Sequence, residues 1–187
     1  MRSSSRSRVP NEASDAVGLI VALLVRFPEI ATIVLHPKDG TLTLSFAIES
    51  RVDRRAEVEI RESVSDHVRL LLDLGRDEPD TLGVAFENDR AASFVRLTRD
   101  VRSFSREELQ VLVVLLSDRF PTTLVRSPAP ADDGFEDEAA DDDLVDFAIE
   151  AMRDPAQQRS LVGFREEKRV LVYFVKSRKK AKARARS

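Results

Sequence analysis

Two histidines, His36 and His67, are the side chains of this sequence whose ordinary pKa lies nearest to neutrality. His67 falls on the apolar stripe of a predicted helix, beside Asp66. A general base needs an orienting carboxylate within hydrogen-bond reach, but neighbouring residues on a helix point about 100° apart. The pattern therefore favours a core histidine bonded to the backbone. The alternative is an enzyme whose cleft is lined by His67.

No motif for metal, phosphate or nucleophilic chemistry occurs in the 187 residues. There is no cysteine and no H-x-x-x-H pair, and the acid-rich stretch at 132–143 lacks the alternating oxygen ligands of a calcium loop. The six glycines form no phosphate-binding loop, and no serine lies in a G-x-S-x-G turn. The sequence predicts no catalytic residue, no metal and no cofactor.

Charge is the clearest functional signal, because the two signs are segregated along the chain. Nine acids lie within 132–146 and seven bases within 176–186, although the net charge is only −3. A flexible basic segment can neutralise phosphates and release counterions, which predicts salt-dependent nucleic-acid binding, to RNA or the ribosome. The segment has no aromatic residue for base stacking, so this binding would be independent of sequence. The candidate residues are Lys176, Arg178, Lys179, Lys180, Lys182, Arg184 and Arg186. The alternative is a solubilising tail without a partner.

Phe135 is an isolated aromatic residue inside the acidic segment, in the order Asp-Asp-Gly-Phe-Glu-Asp-Glu. It is a candidate for docking on a basic and apolar groove of a protein partner, although most such loops are solvated linkers. The acidic segment could also fold back on the basic tail and compete with nucleic acid. Screening over about 8 Å at physiological salt limits that effect to tuning the affinity.

The apolar run at 17–25 does not indicate a membrane segment. It is far shorter than the roughly twenty residues that span a bilayer. Glu12 and Asp15 separate it from the arginines of the first ten residues, and no small-residue cleavage site follows Phe27. We interpret it as a buried helix. A chain without cysteine is compatible with a reducing cytoplasm, so we expect a cytoplasmic protein without a membrane partner.

Periodicity and turn residues predict an α+β fold with units in the order αββ-αββ-αβ-αββ, a mostly antiparallel sheet and helices packed on it. The first helix runs from Ser14 to Phe27. Strands follow at 30–35 and 41–48, joined by a turn at Gly40. The second strand alternates, with Leu42, Leu44, Phe46 and Ile48 on its inner face.

Two further helices are indicated by their patterns. Residues 53–74 carry a stripe at helical spacing: Ala56, Ile60, Val64, His67, Leu71 and Leu74. In the third helix, Ser105 with Glu108 forms a capping box, and Phe104 with Leu109 forms a hydrophobic staple. A second hairpin (82–98), a short strand (122–125) and a fourth helix (143–152) complete the order.

The last hairpin, at 161–175, has apolar residues on both faces of its second strand. This pattern predicts a central core strand, with Val175 as its last core residue, or a strand paired with a second subunit. Hairpins at 82–98 and 161–175 resemble each other, as do the Arg-Phe-Pro ends of two helices, and both resemblances suggest a degenerate internal duplication.

These patterns divide the chain into a disordered Ser/Arg-rich arm (1–12), a single α+β domain (13–126 and 143–176) interrupted by an acidic Pro/Ala/Asp loop (127–142), and a disordered basic tail (177–187). The predicted function is non-enzymatic binding of nucleic acid through the tail, with the loop as modulator. The alternative is a protein–protein adaptor or regulatory subunit that docks through its sheet or acidic loop. A homodimer is compatible with either.

Overall fold

The computed structural model describes residues 12–75, 78–127, 138–153, 159–166 and 169–175. The basic-tail candidates from Lys176 to Arg186, the partner candidate Phe135 and the amino-terminal arm up to residue 11 lie outside the described residues. The elements in chain order are α1 (Glu12–Arg26), β1 (Ile30–His36), a 3-10 turn (Pro37–Asp39), β2 (Thr41–Ile48), α2 (Arg54–Gly75), β3 (Leu82–Asn88), β4 (Ser93–Asp100), α3 (Arg106–Arg119), α4 (Glu138–Met152), β5 (Leu161–Glu166) and β6 (Arg169–Phe174).

The six strands form one antiparallel sheet in the order β3-β4-β2-β1-β5-β6. The central hairpin of β1 and β2 is flanked by one hairpin on each side. This confirms the predicted α+β fold with an antiparallel sheet and packed helices. No helix in the described part of the chain is long and apolar enough to cross a membrane.

The three helices whose sheet contacts can be traced lie on the same face. A Cβ atom on Gly163 of β5 would lie 2.1 Å from Cγ2 of Ile20, so α1 rests directly on that position. The guanidinium of Arg61 in α2 lies over the Phe86 ring of β3, and α3 reaches the same face of β4 through Glu108. The α4 helix packs on α1 and α3. The core lies between this helical layer and one face of the sheet.

Several local predictions are confirmed. The four inward residues predicted for β2, Leu42, Leu44, Phe46 and Ile48, are all buried. Gly40 adopts a left-handed φ of 61° at the turn before β2, a conformation that glycine adopts without a steric penalty. Ser105 caps α3, because its hydroxyl accepts a hydrogen bond from the Glu108 N–H at 3.2 Å.

The predicted stripe of α2 is wrong in its second half. Ala56, Ile60 and Val64 are buried as expected, but the stripe continues through Val68 and Leu72 at a constant spacing of four. His67 is exposed, Leu71 is half-buried, and Leu74 is 77% exposed. Because four leucines lie within 70–74, the sequence allows the buried stripe to continue through different residues. In the structure, the residues of α2 that are buried there are Val68 and Leu72.

Boundaries near α3 and α4 also differ from the predictions. The strand expected at 122–125 is reduced to one bridge between Leu124 and Ile48. The last helix begins at Glu138, five residues before the predicted start at Asp143, so part of the predicted acidic loop is helical. The first helix begins at Glu12, two residues before Ser14.

The prediction of a central final strand is wrong, because β6 lies at the edge of the sheet. Its inner face packs on α1, and Val175 directly after it is 42% exposed. The duplication is not confirmed. The first strand of the last hairpin, β5, joins the central pair, whereas in the hairpin of β3 and β4 it is the second strand that does so. The two hairpins therefore occupy inequivalent positions.

Candidate functional site

His67 does not lie in a cleft or in the core. It is exposed on the outer side of α2, and its Nδ1 lies 2.7 Å from the carbonyl oxygen of Ser63, one turn earlier. The expectation of a core histidine is therefore wrong, although the expected bond to the backbone is present. His67 does not line either of the two clefts described below.

The described part of the acidic segment is tied to the domain by arginines. Asp142 pairs with Arg106 and lies 3.5 Å from Arg26, and Asp146 lies 3.1 Å from the Arg106 Nε. On the outer side of the same helix, Phe147 is 70% exposed. Asp142 and Asp146 are thus paired with arginines of the fold. Phe135 lies outside the described residues, and Phe147 is an exposed aromatic residue beside acidic residues within them.

A buried ion cluster around Arg99 is the strongest electrostatic feature of the domain. Arg99 is fully buried at the end of β4 and makes a forked pair with Glu108 of α3, with Nε–Oε1 at 2.6 Å and Nη2–Oε2 at 3.1 Å. Its Nη1 donates to the Thr81 carbonyl at 2.6 Å and to Asp100 Oδ1 at 2.5 Å. Its Nη2 also donates to Ser103 Oγ at 3.0 Å. The cluster therefore joins β4, the segment before β3 and the start of α3.

The donors of Arg99 and the acceptor positions of Asp100 are all used within the cluster. Arg99 carries five N–H donors, and the five bonds above use all of them. The Asp100 carboxylate accepts from the N–H of Thr81 at 3.1 Å and from the N–H and hydroxyl of Ser103 at 3.0 and 2.6 Å. A buried pair of this kind fixes geometry, since each charge requires the other. We interpret it as a structural node.

Burial and hydrogen bonding move the two carboxyl pKa values in opposite directions. Burial alone would raise the pKa of Asp100, but hydrogen bonds from Ser103 and Thr81 and the charge of Arg99 outweigh it and hold the pKa well below its usual range. Burial raises the pKa of Glu108, and the charge of Asp100 adds to that effect against the opposing influence of Arg99.

Two clefts open on the helical side and at the end of the sheet. One, of about 370 Å³, lies between α2 and α3 and is crossed at its rim by an ion pair of Arg119 with Glu59 at 3.0 Å. The other, of about 360 Å³, lies beside the ion cluster. There the Arg153 guanidinium is already bonded to the carbonyls of Val101 and Phe104. Within the described residues, no three His, Cys, Asp or Glu side chains are grouped to hold a metal ion.

The opposite face of the sheet has no helix on it among the described residues. Strand alternation and register place on this face the side chains that point away from the core. Phe164 and Tyr173 stack there with ring centroids 5.8 Å apart, and Thr43 and Thr98 lie within hydrogen-bond distance at 3.1 Å. The uncharged members of this surface, which we call the open face, are Thr32, Val34, Thr41, Thr43, Ser45, Ala47, Gly83, Ala85, Phe94, Thr98, Val162, Phe164, Leu171 and Tyr173.

Charges on the open face are few, and an ion pair lies on its two strands nearest the β3 edge. Arg96 of β4 pairs with Glu87 of β3 at 2.5 Å. The other ionisable side chains, such as Glu166 and Arg169, lie at strand ends. Low charge and exposed aromatic side chains are features that this face shares with the cores of protein interfaces.

Comparison with known proteins adds no relative: no family model, no curated protein and no solved structure matches this chain.

Sequence reasoning missed Arg99, and it named the sheet as a docking surface of the alternative adaptor without identifying the residues of the open face. The signal for Arg99 was present, because Ser93, Val95 and Leu97 alternate inward and Arg99 is next in that series. The sequence pattern assigns the Glu108 side chain to a capping box, so Arg99 was not considered as the partner of this carboxylate. Its backbone N–H is capped by Ser105, but its carboxylate turns inward to Arg99 instead of back to the cap.

Proposed function

We propose that this protein is a non-enzymatic binding protein, an adaptor or regulatory subunit that docks a protein partner on the open face. The observation that supports this function is a six-stranded sheet with helices on one face and an uncharged, partly aromatic surface on the other. By the spacing of strands and the rise per residue, such a face measures about 25 by 20 Å. That is near the lower range of a specific protein interface.

Nucleic acid fits the open face poorly. Protein surfaces that bind nucleic acid carry clustered Lys and Arg that neutralise phosphates. Arg96, on the second strand from the β3 edge of this face, is already paired with Glu87. The stacked rings of Phe164 and Tyr173 could contact bases, but no row of cations accompanies them among the described residues. Protein is the better supported occupant.

A matched pair of variants tests this proposal. Thr43→Arg places a charge at the centre of the open face, and Val114→Arg places the same charge on α3, where Val114 is 56% exposed on the helical side. We expect a nuclease-resistant protein partner to be retained by the wild type and by Val114→Arg and lost from Thr43→Arg. Equal retention by all three proteins would contradict docking on the open face.

A second candidate function, nucleic-acid binding by the basic tail, is supported by seven bases within 176–186. For a single strand, seven neutralised phosphates give a slope of log affinity against log salt of about −5. Deletion of 177–187 is expected to abolish retention of RNA or DNA at low salt while leaving the far-UV circular dichroism unchanged. Absence of retention by the full-length protein would end this proposal. In this second proposal the acidic segment competes with nucleic acid for the basic tail and so tunes its affinity. Phe135 of that segment remains a candidate for docking on a protein partner.

We place both functions in the cytoplasm, with which a chain without cysteine is compatible.

A further inference from the structure

The final strand, β6, lies at the edge of the sheet, and its outward backbone groups have no described strand beside them. Val175 donates its N–H to the carbonyl of Ser160 at 2.8 Å, so the backbone groups of Val175, Tyr173 and Leu171 point toward β5. In an antiparallel ladder the alternate residues point the other way. Val170, Val172 and Phe174 therefore direct N–H and C=O groups away from the sheet, and no described strand pairs with them.

The edge formed by β3 is guarded and provides a comparison. There the Nε of Arg61 donates to the outward carbonyl of Val84 at 3.2 Å, and Glu87 places a charge on the strand. Natural edge strands use such charges, prolines, bulges or covering side chains to prevent pairing with another strand. In β6 the charges lie at the ends: Arg169 begins the strand, and the guanidinium of Arg159 lies 5.3 Å from the centroid of the Phe174 ring. Between them the strand has no charge and no proline, and no described side chain bonds to its outward backbone groups, which leaves these groups available for pairing.

The edge is complementary to a second copy of itself. A two-fold axis through Val172 sets that residue opposite Val172 of the partner subunit, and Val170 opposite Phe174 of the partner subunit. All of these residues point their backbone groups outward, so they form hydrogen-bonded pairs in register. On the open face, Leu171 meets Tyr173 of the partner subunit. Each pair is apolar, and apolar cross-strand pairs stabilise a sheet.

The exposure of the strand end agrees with this arrangement. Tyr173, Phe174 and Val175 are 52%, 44% and 42% exposed in the single chain, which is unusual for three consecutive large apolar or aromatic side chains. Pairing across the axis would cover part of each of them. The same axis makes the interface isologous, so the assembly closes as a dimer and does not extend into a fibre.

We propose that two copies of this chain pair through β6 about a two-fold axis at Val172, so that their sheets join into one continuous antiparallel sheet. This inference is independent of the partner on the open face, which the edge contact leaves accessible. The competing occupant of the edge is an extended segment of a different protein. That outcome would overturn the proposal.

Proline substitution at the two edges is the first test. Val172→Pro removes an outward N–H without removing a bond to β5, a position at which edge strands tolerate proline. Val84→Pro is the matched control, since Val84 is also a half-buried valine with outward backbone groups. In light scattering over a concentration series, we expect twice the chain mass of 21.0 kDa for the wild type and Val84→Pro, and the single mass for Val172→Pro. A single-chain mass for the wild type, or a dimeric Val172→Pro, would refute the pairing.

Cysteine cross-linking tests the axis without depending on the fold of a proline variant. The chain has no cysteine, so Val172→Cys introduces one thiol per subunit. Facing residues of a hydrogen-bonded pair have Cα atoms about 5.5 Å apart, within the range of about 4.4–6.8 Å that a disulfide spans. Mild oxidation is expected to give a covalent dimer with Val172→Cys and none with Val84→Cys. A dimeric wild type whose Val172→Cys variant fails to cross-link would place the axis elsewhere and overturn the proposal.

Discussion

Replacing Arg99 with leucine should destabilise the domain by about 3–5 kcal/mol, because it leaves buried carboxylates without their cation. The side chain of Arg99 is 1% exposed, and those of Asp100 and Glu108 are 6% and 2% exposed. Leucine would also leave the carbonyl of Thr81 and the hydroxyl of Ser103 without the guanidinium donor. The loss is a large fraction of the roughly 5–15 kcal/mol that typically separates native from unfolded protein.

Urea unfolding followed by far-UV circular dichroism measures this loss, since the chain has no tryptophan and a single tyrosine. With a slope of about 2–3 kcal/mol per molar urea, the midpoint should fall by about 1–2.5 M. Arg55→Leu is the matched control. The Arg55 side chain is 90% exposed in an ion pair with Glu59, so its replacement should change stability by only a few tenths of a kcal/mol, on the order of 0.5 or less.

A double-mutant cycle separates the ion pair from the size of the side chain. Glu108→Leu alone leaves the Arg99 charge partly unpaired, whereas the double variant Arg99→Leu/Glu108→Leu removes both charges. We expect the double variant to be more stable than the sum of the single losses predicts, by about 1–3 kcal/mol. If Arg99→Leu unfolded cooperatively within about 1 kcal/mol of the wild type, or if the losses were additive, the reasoning about the structural node would be refuted.

Three further predictions concern single side chains. Gly163→Ala should cost about 1–3 kcal/mol in urea unfolding because the new Cβ overlaps Ile20, whereas Gly83→Ala, with its nearest atom at 3.9 Å, should cost much less; equal losses would contradict the close approach of α1. Asp100 has a lowered pKa, so its contribution to stability is present above its ordinary value of 3.8 and is lost as the pH falls below it. The difference in unfolding free energy between wild type and Asp100→Asn should therefore shrink from pH 6 toward pH 3, and a difference that grew would have the wrong sign. Ser105→Ala should destabilise the domain by about 1 kcal/mol through loss of the α3 cap, and an unchanged thermal midpoint would show that the cap is dispensable.

The parts of the fold that the sequence predicted are those with local causes. The alternation of β2 and the turn glycine Gly40 depend on a few neighbouring residues, and so does the Ser105 cap. The error in α2 arose because leucines at 70–74 satisfied more than one helical spacing, and only contact with the sheet distinguishes them. The position of His67 was wrong for the same reason, since it was inferred from that stripe.

The order of strands could not be predicted, because it depends on contacts between distant parts of the chain. An edge strand with one face on α1 and the other on an open surface has the same apolar alternation as a central strand. Val172 and Leu171 therefore fit both interpretations. The Arg99–Glu108 pair was missed because a charged residue inside the core opposes the general preference for exposure, and only the inward register of β4 reveals it.

The strand β6 connects the three features on which the proposals depend. Its backbone edge faces outward, Tyr173 belongs to the open face, and the chain continues from Val175 into the basic segment. In the proposed dimer the two Val175 positions lie about 20 Å apart along the paired strands, from a rise of about 3.3 Å per residue. If the basic segments bind nucleic acid as proposed, two of them that begin at that separation could reach the same molecule. Binding of the second would then be intramolecular, and the proposed pairing through β6 would raise the affinity without any new contact.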